Sequence, residues 1–167
     1  MIKTGDIIFV RGDGIFSPII RFFDKGRFSH CCVAISNTHI VEAQYFNNVK
    51  IRPFYYGDNE IEIIDLGLNE EQKRIVISIA LQLTGKWYDY RQLVGYVFKR
   101  IFIKDGKNIL NNPNNLICSE LVSQILLETG FILPHEKVSD LTPNQLYNYL
   151  KNICDTRANC KKEDLIV

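Results

Sequence analysis

Residues 29–35 read Ser-His-Cys-Cys-Val-Ala-Ile, and this stretch decides how the first half of the chain folds. Its short run of small and apolar residues, without glycine or proline, predicts a buried strand. Because side chains alternate between the two faces of a strand, His30, Cys32 and Ala34 share one face. Two small side chains beside the histidine leave room for a helix terminus, which we expect to pack on that face.

Other short strands surround this stretch, and turn residues separate them. Gly5–Val10 predicts a buried strand, and Ser17-Pro18 predicts the start of a short helix that ends near Asp24. Three later strands are predicted at Ile40–Tyr45, Val49–Phe54 and Ile61–Asp65. Their connections are too short for helical crossovers, so the strands should form an antiparallel sheet.

The second half of the chain carries helix patterns. Asn69 predicts the cap of a helix that runs to Gly85, because the glutamates that follow it suit the positive end of the helix dipole. The remaining predictions are helices over Tyr90–Ile103 and Ile117–Thr129, a helix beginning at Thr142-Pro143, and a loop over Lys104–Asn115. Strands followed by helices favour one α+β domain over residues 1–167, with an antiparallel sheet packed against helices. The tail from about residue 154 is predicted to be peripheral.

Composition and charge exclude several classes of protein. Charged residues make up 23% of the chain and the formal net charge is +1, so no strong field indicates nucleic acid or an anionic membrane as partner. Residues 1–10 carry Asp6 and no small-residue cleavage site, and no apolar stretch is long enough to span a bilayer. We therefore expect a cytoplasmic protein that does not bind nucleic acid. Nothing in the sequence indicates its oligomeric state.

The chain has five cysteines, Cys31, Cys32, Cys118, Cys154 and Cys160. An odd number without a signal peptide favours a reducing compartment over a disulfide framework. There is no CxxC pair, and the spacing of His30, Cys32 and His39 fits no standard ligand set. We therefore expect neither a metal ion nor an organic cofactor.

Cys118 lies where a predicted loop enters a predicted helix. Leu121, Val122 and Ile125 follow it at helical spacing, so Cys118 begins the apolar face that packs on the sheet. The unpaired N–H groups of a first helical turn lower the pKa of a thiol, and they can stabilise the oxyanion that forms when a carbonyl is attacked. A buried free cysteine is also a common core residue, and this helix alone favours that alternative.

His30 on a rigid strand is the candidate base for Cys118, and Glu42 is the candidate that orients the imidazole. Whether Glu42 reaches His30 depends on the register of the hairpin between them. A two-residue turn would place Val33 opposite Glu42 and point the carboxylate away from His30, towards an exposed face. A three-residue loop or a bulge would place Cys32 opposite Glu42 and bring the carboxylate diagonal to His30.

Three segments, taken together, resemble a known family. They are residues 28–35, Val41-Glu42-Ala43, and Ile-Cys-Ser-Glu-Leu-Val at residues 117–122. Their order, with the histidine first, is similar to that of the circularly permuted papain-like hydrolases of the NlpC-like superfamily, and most similar to its YiiX-like branch. The resemblance extends over most of the chain and implies a circularly permuted papain-like fold.

The resemblance implies a cysteine peptidase or amidase that cleaves an amide bond in a peptide or a small amide substrate. It also implies that Cys118 is the nucleophile, His30 the base and Glu42 the orienting group. The candidate substrate-binding residues are Tyr88, Ser119 and Cys32. Tyr88 belongs to a segment, Gly85–Tyr90, that would line the cleft, although a core tyrosine explains it equally well.

Two other functions remain open at this point. The lecithin:retinol acyltransferase-like proteins use a similar histidine-first core on lipid esters, and Val97–Ile103 would then supply a membrane-facing patch. The other alternative is a non-catalytic binding module in which Cys118 only packs in the core. A wide separation between the Cys118 sulfur and His30 would favour the binding module. Wall peptide, isopeptide, small amide and lipid ester all remain open as substrates.

Overall fold

The structure is a computed structural model that describes residues 1–12, 17–43, 48–88, 115–116, 118–131 and 141–163. Its central element is a five-stranded sheet with the strand order β4-β3-β2-β1-β5, in which every neighbouring pair is antiparallel. The strands are β1 (Ile7–Val10), β2 (His30–Ala34), β3 (His39–Ala43), β4 (Val49–Pro53) and β5 (Ile61–Ile64). The antiparallel sheet of the predicted α+β fold is therefore confirmed.

Helices cover one side of this sheet. Those in the described part of the chain are α1 (Ser17–Asp24), α2 (Glu70–Leu83), α3 (Cys118–Glu128) and α4 (Pro143–Glu163), together with a single 3-10 turn at Asp58–Glu60. Helix α2 begins where the sequence predicts, because Asn69 Oδ1 accepts the Gln72 N–H at 2.9 Å and the Gln72 side chain accepts the Asn69 N–H at 3.1 Å. Helix α4 is continuous past residue 154, and Cys154 packs against the core. The peripheral position of the tail from about residue 154 stays a prediction.

A second, two-stranded sheet was not predicted. It pairs β6 (Trp87–Tyr88) with β7 (Asn115–Leu116) in parallel, with Tyr88 opposite Leu116. Strands of two residues are too short to carry a recognisable alternation, so no sequence pattern indicated them. The predicted helix Tyr90–Ile103 and residues 104–114 of the predicted loop lie outside the described residues.

The five-stranded sheet separates two apolar clusters. The outer-face cluster consists of Ile2, Ile8, Val10, Cys32, Ala34 and Ile40. The helix-side cluster contains Cys31 and Val33 of β2 together with Cys118, Leu121 and the other buried apolar residues of α3. Helix α3 therefore packs on the face of β2 that carries Cys31. The alternation along β2 is as predicted, but the expected packing face is wrong, because isoleucines from β1 and β3 fill the space beside Cys32 and Ala34.

Helix α4 is tied to the segment that leads into β2. The Asn144 side chain accepts the Phe28 N–H at 2.8 Å and donates to the Phe28 carbonyl at 2.7 Å, and it also donates to the Asp24 carboxylate. These contacts lie just before His30, the first residue of β2. The helices described here include none that is long and apolar enough to cross a membrane.

Candidate active site

The hairpin between β2 and β3 has a three-residue loop rather than a two-residue turn. Val33 lies opposite Val41 and Ala34 opposite Ile40, and the Ile35 N–H donates to the His39 carbonyl at 2.9 Å. Three residues, 36–38, therefore form the loop, which is held by Ser36 Oγ accepting two backbone N–H groups. This register places Glu42 on the His30 side of the sheet.

Glu42 is fully buried and four side chains surround its carboxylate. His30 Nε2 lies 3.1 Å from Oε2, and the Tyr56 hydroxyl donates to the same oxygen at 2.8 Å. The Tyr55 hydroxyl donates to Oε1 at 3.0 Å, and Arg52 Nε lies 3.7 Å from that oxygen. Each carboxylate oxygen therefore accepts a hydrogen bond from a tyrosine hydroxyl and also lies near a basic side chain, the imidazole at Oε2 and the guanidinium at Oε1.

These contacts determine the charge of Glu42. Burial opposes ionisation, but the hydrogen bonds from His30, Tyr56 and Tyr55 outweigh it and hold the pKa of the carboxyl below its usual value. Glu42 is therefore an ionised acceptor at neutral pH. Such an acceptor fixes the orientation of the imidazole and stabilises its protonated form.

His30 connects Glu42 to Cys118. Its ring is buried, with 8% of the residue exposed, and burial alone would lower its pKa. Hydrogen bonding and charge interactions with Cys118 and with Glu42 overcome burial and raise the pKa of His30 to about 10. Because Nε2 contacts Glu42, Nδ1 is the ring nitrogen left for Cys118. A hydrogen bond with Cys118 is among the causes that raise the pKa of His30, so the thiol and the imidazole are near each other.

Cys118 is the first residue of α3 and is 5% exposed. A hydrogen bond from the Cys31 thiol is the largest influence on its pKa; burial opposes it, and His30 and the Cys31 backbone N–H reinforce it. Together they hold the pKa of Cys118 well below its usual value of 9.0. The site thus favours a thiolate at Cys118 beside an imidazolium at His30.

The predicted substrate-binding residues have different surroundings. Ser119 is fully buried, and its hydroxyl has no hydrogen-bond partner among the described residues. The Tyr88 backbone pairs with Leu116, two residues before Cys118, while its side chain lies outside the description. Cys32 is fully buried in the outer-face cluster, so the thiol that α3 meets belongs to Cys31. A role of Cys32 in substrate binding stays a prediction.

Sequence reasoning missed four side chains of this site, namely Cys31, Arg52, Tyr55 and Tyr56. Tyr55 and Tyr56 follow β4 and reach Glu42 only because β4 pairs with β3, which no local pattern indicates. Cys31 follows the candidate base directly in the sequence, but no pattern there paired it with Cys118. The described residues contain no group of three or more His, Cys, Asp or Glu side chains that could hold a metal ion.

Comparisons with known proteins define the class to which this fold belongs. No protein-family model matches the chain, and no curated protein matches it. Among solved structures, the fold is similar to that of the metalloprotein YiiX from Escherichia coli O157:H7, with a TM-score of 0.56 and 21% sequence identity. The match covers 76% of this chain and 66% of that one.

At this level of identity, the match shows a shared fold. The chain therefore has a YiiX-like α+β fold, as its motifs predicted. The chain spans slightly less than two thirds of the length of YiiX. Membership of the wider papain-like superfamily stays a prediction.

Proposed function

We propose that this protein is a cysteine hydrolase, of the peptidase or amidase type, that cleaves an amide bond through an acyl-thioester on Cys118. The observation that carries the proposal is the buried chain of side chains from Glu42 through His30 to Cys118. His30 Nε2 lies 3.1 Å from a fully buried, ionised carboxylate, and the imidazole interacts directly with a thiol at a helix start. A base oriented by a third group beside a nucleophile is the arrangement that covalent acyl transfer requires.

The raised pKa of His30 and the lowered pKa of Cys118 favour an ion pair before substrate binds. The thiolate attacks the carbonyl carbon, and the N–H groups of the first turn of α3 stabilise the oxyanion. The His30 imidazolium then gives its proton to the leaving amine as the carbon–nitrogen bond breaks. His30, now neutral, takes a proton from water, and the resulting hydroxide hydrolyses the thioester.

Glu42 supports each of these steps without contacting substrate. Its carboxylate holds Nε2 of the imidazole, which keeps Nδ1 directed towards the sulfur. It also stabilises the positive charge that His30 carries before the leaving group departs. Tyr55 and Tyr56 keep Glu42 fixed and ionised in spite of its burial.

A peptide or a small amide is the proposed substrate. The segment Val97–Ile103, which would have supported a lipid ester, lies outside the described residues, so no observation favours that alternative. YiiX is a metalloprotein, but the described residues of this chain offer no metal-binding group, so the proposal includes no metal.

The proposal predicts that Cys118→Ala and His30→Ala each abolish labelling of residue 118 by iodoacetamide or by an acyl-thiol probe at neutral pH. Removing His30 takes away the positive charge that keeps the Cys118 thiol ionised, and only the thiolate is a good nucleophile. The measurement is mass spectrometry of peptides after a short exposure to the probe, with circular dichroism to confirm that each variant is folded.

His39→Ala is the matched control, because His39 begins the neighbouring strand but is exposed and hydrogen-bonds to Thr38 in the loop. Labelling of Cys118 in this variant should equal that in the unmodified protein. Rapid labelling of Cys118 in folded His30→Ala would overturn the role of His30. A Cys118 that stays unlabelled in the unmodified protein would favour the binding module.

A further inference from the structure

A second thiol, Cys31, lies against Cys118, and the proposed hydrolysis does not use it. Both side chains belong to the helix-side cluster, where α3 packs on β2. The Cys31 thiol donates a hydrogen bond to Cys118, and the Cys31 backbone N–H also interacts with that sulfur. Cys31 is fully buried, so the surrounding core holds it next to its partner.

We propose that Cys31 is a resolving thiol, which captures oxidised Cys118 as a reversible intramolecular disulfide. The oxidant is a peroxide. This role goes beyond the proposed hydrolysis and holds whatever the substrate is.

The geometry favours one partner for Cys118. Alternation along β2 sends Cys31 towards α3 and sends Cys32 into the outer-face cluster, on the other side of the sheet. Cys154 lies on α4, where its thiol is directed to the Asp65 carbonyl at 3.8 Å. Among these thiols, Cys31 is the one that hydrogen-bonds to Cys118.

The chemistry proceeds in two balanced steps. The Cys118 thiolate attacks one oxygen of hydrogen peroxide and the O–O bond breaks, so that Cys118 becomes a sulfenic acid, while the leaving hydroxide takes the proton of the His30 imidazolium and becomes water. The Cys31 sulfur then attacks the Cys118 sulfur, the S–O bond breaks, and the hydroxyl departs as water with the proton of Cys31. In sum, two thiols and one peroxide give one disulfide and two waters.

Oxidation of Cys118 also makes the attack by Cys31 easier, because it removes a negative charge that opposes ionisation of the Cys31 thiol. The Cys118 thiolate is one of the causes that raise the pKa of Cys31, after burial itself. Once Cys118 is a sulfenic acid, that negative charge is gone. Ionisation of Cys31 therefore becomes easier when its attack is needed.

The disulfide would block the nucleophile and protect it. A free sulfenic acid can be oxidised further to a sulfinic acid, which ordinary thiols do not reduce. A disulfide with Cys31 stops at the reversible stage, and a dithiol such as dithiothreitol restores Cys118 by exchange.

The test compares the unmodified protein with Cys31→Ser and Cys32→Ser after brief exposure to hydrogen peroxide. Free thiols are then blocked, and the protein is digested without reductant for mass spectrometry. We expect a cross-linked Cys31–Cys118 peptide in the unmodified protein and in Cys32→Ser, and its absence from Cys31→Ser. Cys31→Ala, which leaves no hydroxyl in the core, gives the same comparison if Cys31→Ser does not fold.

A second readout is recovery with dithiothreitol. In the unmodified protein and in Cys32→Ser, labelling of Cys118 should fall at least tenfold after peroxide and return fully after dithiothreitol. In Cys31→Ser, Cys118 should become a sulfinic acid and stay unlabelled after dithiothreitol. Equal sulfinic acid in all three proteins without a cross-link would overturn the proposal. So would a cross-link from Cys118 to Cys32, or one between Cys31 and Cys32. The masses of the cross-links are read without any hydrolysis assay, so this result is separate from the proposed activity.

Discussion

At the scale of single residues, the unusual feature is a glutamate with no exposed surface. An isolated carboxylate buried in this way would become neutral, because burial penalises its charge. Glu42 instead accepts three hydrogen bonds and lies near the Arg52 side chain. Those partners keep Glu42 ionised. Ionised Glu42 stabilises the imidazolium form of His30, and the imidazolium in turn stabilises the thiolate of Cys118.

We predict that Glu42→Gln moves the pH profile of Cys118 alkylation upward. Without the carboxylate, the pKa of His30 falls, the imidazolium is lost at lower pH, and the pKa of Cys118 rises in response. Fewer molecules then hold a thiolate at neutral pH. At pH values below the midpoint of the profile, a rise of one unit in the pKa of Cys118 lowers the alkylation rate about tenfold. The midpoint is measured from iodoacetamide rates at a series of pH values.

Glu60→Gln is the control for this prediction, because it removes an exposed carboxylate from the 3-10 turn before β5. Its profile should coincide with that of the unmodified protein. An unchanged midpoint in folded Glu42→Gln would mean that Glu42 does not influence the thiol.

At the scale of elements, the site depends on how β2 is held at its first residue. His30 begins β2, and Asn144 of α4 binds both backbone polar groups of Phe28, two residues earlier. Gly26 makes this contact possible, since a Cβ at that position would overlap the Asn144 side chain. The helix therefore fixes the chain just before it enters the site.

We predict that Asn144→Ala lowers the free energy of unfolding by about 2 kcal/mol, because it leaves the buried N–H and carbonyl of Phe28 without partners. Urea denaturation followed by circular dichroism measures this change. Asn148→Ala, one turn further along α4 and exposed, is the control and should stay within about 0.5 kcal/mol. Equal stability of the two variants would show that the Asn144 contacts contribute nothing net.

The elements were largely predictable, and their packing partners were less so. Strand alternation and turn residues located the strands of the five-stranded sheet, and the Asn69 cap located the start of α2. Alternation also predicted correctly that Cys31 and Cys32 lie on opposite faces of the sheet. It could not say which face α3 would cover, because both faces of β2 carry small or apolar side chains and are fully buried.

At the scale of the whole molecule, the fold brings together side chains that are distant in sequence. His30 and Glu42 become neighbours through one residue of hairpin register, whereas Cys118 joins them by the packing of α3 on the sheet. These three residues could be named from the sequence for two reasons. A thiol, an imidazole and a carboxylate are the groups that nucleophilic catalysis by cysteine uses, and their order along the chain resembles that of the circularly permuted papain-like hydrolases. Tyr55 and Tyr56 could not be named from the sequence, since their contacts with Glu42 depend on tertiary pairing alone.

The central claim is that Cys118 forms an acyl-enzyme with the help of His30. The most direct measurement is peptide mass spectrometry after a short reaction with p-nitrophenyl acetate, a small activated acyl donor. We expect an acetyl group on Cys118 that disappears on further incubation, and no acetyl group at residue 118 in folded His30→Ala or Cys118→Ala. Acetylation of Cys118 at the same rate with and without His30, or no acetylation of Cys118 at all, would contradict it.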